Sequence, residues 1–195
     1  QDLYVIGNTG AYGSHGYTVQ TITGMRGLSQ YNAKNKRFRC DVVYTNIPVP
    51  GAYRGYGAPQ SEFALEAHLE DIAHELGLDV LEFKRKNWVK VGDELDIAPH
   101  LGETAIQEEL DEYPKVMTCG TEECVAQAQR AIGWHRRNDP DWVSPKDRPN
   151  IRRGIGFALA MHGSGIPFLD MGGASIKMND DGSFKAKTAH TLNPV

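Results

Sequence analysis

The sequence predicts an α/β protein of the mixed α+β kind, with short strands, one β-hairpin and three main helices. Three observations carry this. Short apolar runs at residues 3–6 and 37–45 are bounded by turn-forming and charged residues. Residues 59–76 repeat apolar positions at helical spacing and open on a proline. Two further stretches flank Asn179-Asp180-Asp181-Gly182, a hairpin turn signal.

Each element follows from local chemistry. Residues 3–6 make a strand closed by Gly7-Asn8-Thr9-Gly10. Glycines at 13, 16, 24 and 27 argue against a long helix in the next stretch and allow a short one over 18–25. Residues 37–45 form a second strand with Cys40, Val42, Val43 and Tyr44. The basic cluster Lys34, Lys36, Arg37 and Arg39 reads as a solvated turn and strand edge rather than a phosphate site.

In the helix over 59–76, Leu65, Leu69, Ile72 and Leu76 follow the pattern of one buried stripe, and Glu66, Glu70 and His74 form a separate polar stripe. Phe63 lies off the apolar stripe, which predicts a second packing surface. Gly77 stops the helix. Asp79 caps the next one, over 80–89, with Leu81 and Phe83 toward the core and Lys84, Arg85 and Lys86 in its later turns. Residues 93–112 hold eight acidic residues and no basic one, which predicts a surface excursion with a solvated acidic face. A third helix runs from Thr121 to about Trp134, with Cys124, Ala128 and Ala131 as a small-residue stripe. Residues 134–150 contain Pro140, Pro145 and Pro149 and read as a connector. Residues 151–163 predict a strand buried on both faces, and 172–178 with 183–190 the hairpin.

Composition sets bounds. At 195 residues the chain can bury a sizeable core, as one large domain or two small lobes. A net charge of −4 gives no general attraction to polyanions, so nucleic acid is not an expected partner. No apolar run is long enough to cross a membrane, and no secretory leader opens the chain. Three cysteines without a disulfide framework fit a reducing cytoplasm. The chain starts at Gln1 and stops abruptly at Val195, and so reads as an internal piece of a longer polypeptide.

Most chemical candidates resolve into ordinary roles. Cys119 and Cys124 lack a second pair and read as structural rather than metal-binding. His68 and His74 point about 120° apart on a helix, which does not make the i, i+4 metal pair. His162 reads as a hydrogen-bonded histidine at a strand end. Ser164 sits between glycines without an acid–base pair nearby, and neither a Gly-X-Ser-X-Gly elbow nor a Walker phosphate loop occurs.

Gly51-Ala52-Tyr53-Arg54-Gly55-Tyr56-Gly57-Ala58-Pro59-Gln60 is different. Glycines crowd around one arginine and two tyrosines, and a proline opens the helix behind them. Such a loop delivers backbone N–H groups, an arginine and an aromatic ring to one place beside a helix N-terminus, which suits an anion or an oxo group. The decapeptide resembles a motif of the molybdenum hydroxylases, the xanthine dehydrogenase and aldehyde oxidase family. Their large subunit carries a Gly-Ala-aromatic-Arg-Gly-X-Gly-X-Pro-Gln/Glu loop against the molybdenum of molybdopterin. Asp2-Leu3-Tyr4, Gly7-Asn8-Thr9-Gly10, Tyr44-Thr45-Asn46, Glu66-Ala67-His68, Phe83-Lys84-Arg85-Lys86-Asn87, Arg153-Gly154-Ile155-Gly156 and Asp181-Gly182-Ser183 also stand in family order. The similarity covers nearly the whole chain, excepting residues 95–113.

The resemblance implies a molybdenum-cofactor-binding fragment. Residues 1–150 would be a molybdopterin-binding lobe containing the loop, and 151–195 the truncated start of a second lobe. It implies molybdopterin, with the cytosine dinucleotide form left open, and iron–sulfur clusters and FAD in other domains or subunits. Tyr53, Arg54, Gly55, Gly57 and Gln60 would bind the cofactor, Arg54 approaching molybdenum through its backbone N–H and not as a side-chain ligand. Tyr56 would pack on the substrate ring, with its hydroxyl available to a substrate heteroatom. No catalytic residue is assigned within the chain, because the base glutamate is expected beyond Val195. Purine-type relatives also place an arginine upstream of the loop, and Arg26, the only one before Arg37, stands out of register. The implied reaction is oxidative hydroxylation of a purine or other N-heteroaromatic with water-derived oxygen. An aldehyde, a nicotinate-like acid or an aryl-CoA thioester stays open as substrate, as do a structural piece without activity and an anion-binding module. The implied partners are a small-molecule substrate, FAD and iron–sulfur domains or subunits, and the remainder of the molybdopterin subunit.

Overall fold

The computed structural model describes residues 1–101, 111–163 and 173–189. Strand β1 (Asp2–Asn8) pairs in parallel with β2 (Arg37–Val43), Asp2 opposite Arg37 and Asn8 opposite Val43. A parallel pair needs a crossover, and helix α1 (Gly16–Ser29) supplies it. Helix α2 (Ala58–Glu75) packs on α1, and α3 (Val80–Asn87) follows. Helix α4 (Thr121–Ile132) and the one-turn α5 (Pro140–Val143) come next, separated by a 3₁₀ turn over Trp134–Asn138. Strands β3 (Gly173–Met178) and β4 (Phe184–Ala189) form the expected antiparallel hairpin, with Met178 opposite Phe184. The mixed α/β class, the two early strands, the helices α2, α3 and α4 and the hairpin agree with the sequence expectation.

Helix α1 is longer than its glycines predicted. The reason is packing. A Cβ on Gly24 would sit 2.7 Å from the Phe38 ring of β2, and one on Gly27 2.7 Å from Ser61 Cβ of α2. Close neighbours on two sides offset a helix-propensity cost of about 1 kcal/mol per glycine.

Helix α2 buries a different face from the one expected. Leu65, Leu69 and Ile72 are half-buried and line an open apolar cleft of about 420 Å³, while Leu76 is exposed. The buried face runs through Ala58, Ser61, Glu62, Glu66 and Ala73. Glu66, expected on a polar stripe, therefore points inward, and Phe63 is 80 % exposed instead of meeting a second packing surface. Lys84, placed with Arg85 and Lys86 in the later turns of α3, is fully buried. The apolar core gathers Tyr31, Leu81, Trp88 and Val125, with Leu65, Leu69, Trp134, Phe157 and Leu159 packed against them. Helix α4 turns Val125 inward and leaves Cys124, Ala128 and Ala131 exposed, so the small-residue stripe is not its packing face.

Residues 151–163 are extended but form no strand, and they alternate between half-buried and exposed rather than being buried on both faces. Side chains take the place of a neighbouring strand. The N–H of Leu159 donates to Glu66 Oε2 at 3.0 Å and that of Met161 to Glu62 Oε1 at 2.6 Å. Lys84 Nζ donates to the Phe157 carbonyl at 3.0 Å. Two residues of extended chain advance roughly 6.6 Å and one helical turn about 5.4 Å, so carboxylates one turn apart on α2 meet alternate N–H groups of the strap.

Elsewhere local predictions hold. Gly77 takes a φ of 65° at the end of α2, and Asp79 Oδ1 accepts from the N–H groups of Leu81 and Glu82 at 3.1 Å. The basic cluster is solvated at Arg37, which pairs with Asp2, and at Arg39, which lies over the Tyr4 ring, but not at Lys36, whose side chain is buried 2.6 Å from Asp96. The neck of the acidic excursion is closed by an antiparallel bridge between Glu94 and Lys115. Residues 102–110 of that excursion, with Ser164, Gly172 and His190, lie outside the described residues.

Candidate functional site

Two overlapping turns build the loop before α2. Tyr56 N–H donates to the Tyr53 carbonyl at 2.8 Å, and Ala58 N–H to the Gly55 carbonyl at 3.0 Å. Three successive residues carry positive φ: Gly55 at 93°, Tyr56 at 39° and Gly57 at 93°. For a tyrosine that geometry costs roughly 1–2 kcal/mol, so surrounding contacts must hold it. Gly57 is the left-handed N-cap of α2, and Pro59 sits in the first turn, where its missing N–H costs nothing. Gly57 is also pressed onto α1. Its carbonyl accepts from Thr23 Oγ1 at 3.0 Å, and a Cβ there would collide with the Val19 carbonyl and with Thr23.

The predicted site residues converge, except that Gly55 does not line the cavity they share. Tyr53, Arg54, Tyr56, Gly57 and Gln60, with Val19 of α1, line a cavity of about 170 Å³. Tyr53, Arg54 and Gln60 are exposed, Gly55 and Tyr56 half-buried and Gly57 buried. Among the described residues, no acceptor takes the backbone N–H of Arg54 or of Gly55. These donors, with those of Gly51, Ala52, Tyr53 and Gly57, which also meet no acceptor among the described residues, lie beside a concave surface at a helix N-terminus and fit an anionic or oxo-bearing group. The Tyr56 hydroxyl faces α1, at 2.7 Å from His15 Nδ1 and 2.5 Å from Thr18 Oγ1.

A charged group that sequence reasoning missed lies along α2. Burial holds the Glu62 carboxyl above its ordinary range, against the pull of the Met161 N–H and Arg26. Burial lowers Arg26, whose Nε meets no acceptor among the described residues, and Glu62 opposes that shift. Burial, and then the Arg26 charge, lower His162. The signal for Glu62 and Glu66 was their i, i+4 spacing on the face that also carries Ala58 and Ala73. Among the described residues, no group of three or more His, Cys, Asp or Glu could hold a metal ion, and no helix is long and apolar enough to cross a membrane.

Residues 1–88 match the family described as the molybdopterin cofactor-binding domain. The chain is 35 % identical over 91 % of its length to a protein of Escherichia coli (strain K12) named Probable hypoxanthine oxidase XdhD, covering 18 % of that protein. It is 31 % identical over 97 % of its length to the xanthine dehydrogenase molybdenum-binding subunit of Escherichia coli O157:H7, covering 23 % of it. The chain belongs to the molybdenum hydroxylases. Within that family, its fold is similar to the aldehyde oxidoreductase of Desulfovibrio gigas, with a TM-score of 0.63 at 26 % identity over 95 % of this chain and 19 % of that one. This molybdenum hydroxylase chain thus spans about a fifth of the length of the relatives it matches, as a fragment of a larger molybdopterin-binding polypeptide.

Proposed function

We propose that residues 51–60 face molybdopterin in the large subunit of a hydroxylase that oxidises a purine or another N-heteroaromatic with water-derived oxygen. One observation carries this reading. The paired turns leave the N–H groups of Arg54 and Gly55 unspent beside a cavity that has Tyr56 on its wall. Relatives named for hypoxanthine, xanthine and nicotinate support the heteroaromatic class. Bound molybdopterin, as such or as its cytosine dinucleotide, supplies the redox chemistry. The chain binds and orients. Arg54 and Gly55 offer backbone donors to the cofactor, Tyr53 and Gln60 line the same cavity, and Gly57 brings α2 against α1. Tyr56 orients the substrate ring. The general base belongs to the remainder of the subunit, and iron–sulfur clusters and FAD to other domains or subunits. Residues 1–150 and 151–195 are two lobes joined through the extended segment. The free cysteines Cys40, Cys119 and Cys124 support a cytoplasmic enzyme.

A second reading, aldehyde oxidation, is favoured by the similarity in fold to two aldehyde oxidoreductases, at TM-scores of 0.63 and 0.64. Metal analysis of the complete enzyme, with turnover of hypoxanthine, nicotinate and benzaldehyde, separates the two. Molybdenum with heterocycle turnover supports the first reading, and turnover of benzaldehyde alone supports the second. A folded, complete enzyme that never takes up molybdenum overturns both.

A further inference from the structure

Tyr56 is held by α1 in a way that the proposed function does not require. Its hydroxyl lies 2.7 Å from His15 Nδ1 and 2.5 Å from Thr18 Oγ1, and Thr18 Oγ1 also donates to the His15 carbonyl at 3.2 Å. The His15 and Tyr56 rings meet edge-on, at 84° with centroids 5.7 Å apart. A phenol has one proton and two lone pairs, and two partners at these distances use most of that capacity. The backbone of Tyr56 is left-handed, between two glycines that are also left-handed, so the turn alone does not specify where the ring points. The anchors sit at the start of α1, His15 as its N-cap residue and Thr18 within the first turn.

We infer that His15 and Thr18 are positioning residues for Tyr56. They engage its hydroxyl and fix the ring, so that Tyr56 offers a bound substrate an oriented aromatic face and not a hydroxyl. This rests on the proposed placement of Tyr56 at the substrate. The hydroxyl that the sequence left available to a substrate heteroatom is here turned to the protein. His15 thereby acts on substrate binding without touching substrate.

The test is a double-mutant cycle in the complete enzyme: wild type, His15→Ala, Tyr56→Phe and the double variant, with His15→Asn as the conservative rescue, since an Asn amide can stand where Nδ1 stands. The first readout is hydrogen–deuterium exchange of the peptide containing residues 51–60, which needs neither substrate nor loaded cofactor. We expect His15→Ala and Tyr56→Phe each to speed its exchange about tenfold, the double variant to add nothing, and His15→Asn to restore protection. The second readout is KM and kcat for hypoxanthine, nicotinate and benzaldehyde. We expect His15→Ala to raise KM about tenfold in the wild-type background and not in the Tyr56→Phe background. Unchanged exchange in His15→Ala, or equal KM effects in both backgrounds, overturns the inference. Tyr56→Ala separates the two levels. A raised KM in Tyr56→Ala beside an unchanged one in His15→Ala overturns the positioning role alone. An unchanged KM in Tyr56→Ala overturns the placement of Tyr56 at the substrate and the inference with it.

Discussion

Lys84 Nζ lies 2.9 Å from Glu66 Oε2, with both side chains buried. The pair is not isolated. Glu66 also accepts from Tyr31 Oη at 2.5 Å, Gln30 Nε2 at 3.3 Å and the Leu159 N–H, while Lys84 holds the Phe157 carbonyl. Four segments of the chain meet at one carboxylate. Burial, and then the bond to Glu66, push the Tyr31 phenol far above its usual range, so it stays a neutral donor.

Lys84→Ala should therefore be costly. Removing one partner of a buried pair leaves a desolvated charge, worth about 3–5 kcal/mol. Replacing both partners with Glu66→Leu and Lys84→Met should not restore stability, as it can for a simple pair, because the Tyr31 hydroxyl, the Leu159 N–H and the Phe157 carbonyl lose partners too. Denaturation midpoints of the two variants and the wild type of the complete subunit check this. A double variant as stable as wild type would show that the strap does not depend on the pair.

Glu62 gives a dependence on pH. Its folded value lies above its unfolded one, so between the two the folded chain holds a proton that the unfolded chain releases. The contribution is complete below the ordinary value of 4.5 and is lost as pH rises through the raised value. Glu62→Gln keeps an acceptor for the Met161 N–H and removes the titration. The variant should show a flatter stability profile above pH 4.5, seen as converging and then crossing denaturation midpoints in a pH series.

The loop separates backbone from side chain. Gly57→Ala places a Cβ against the Val19 carbonyl at a φ that side chains avoid, and should cost about 1–3 kcal/mol together with most of the molybdenum content. Gly55→Val meets Pro59 Cγ at 2.5 Å and should behave likewise. Arg54→Ala, in an exposed side chain, should keep most of its molybdenum. Metal analysis of the three purified enzymes decides, and equal occupancy in all three would remove the backbone from the binding role.

Asp79→Ala should loosen α3. The carboxylate caps the helix through two N–H groups and also pairs with Arg137. Loss of the cap costs about 1 kcal/mol, and Asp79→Asn should recover most of it. Midpoint shifts of the two variants test the ordering.

What the sequence revealed and what it hid follow one line. Caps, turns and the hairpin were legible because their chemistry is local: Asp79 precedes its helix, Gly77 follows one, and Asn179 to Gly182 suit a tight turn. The loop over 51–60 was legible for the same reason, and Tyr53, Arg54, Tyr56, Gly57 and Gln60 do line one cavity, though Gly55 does not. The burial of Glu62, Glu66 and Lys84 was not legible, because charges are assigned to solvent until a distant partner is known. Their partners stand at Tyr31, Phe157, Leu159 and Met161. The glycines of α1 misled likewise, since Phe38 and Ser61 are what make them suitable there.

The strap has a consequence for synthesis. Leu159 and Met161 reach their carboxylates across 93 and 99 residues of sequence. Helix α2 therefore leaves the ribosome with two acids on its inward face and waits for residues 159 and 161 before they are satisfied. Long-range closure of this kind slows folding and leaves the unfinished face exposed in the interval. The helix behind the loop over 51–60 is thus completed only after residue 161 is made, and a nascent chain halted before residue 159 would present the loop on an unfinished support.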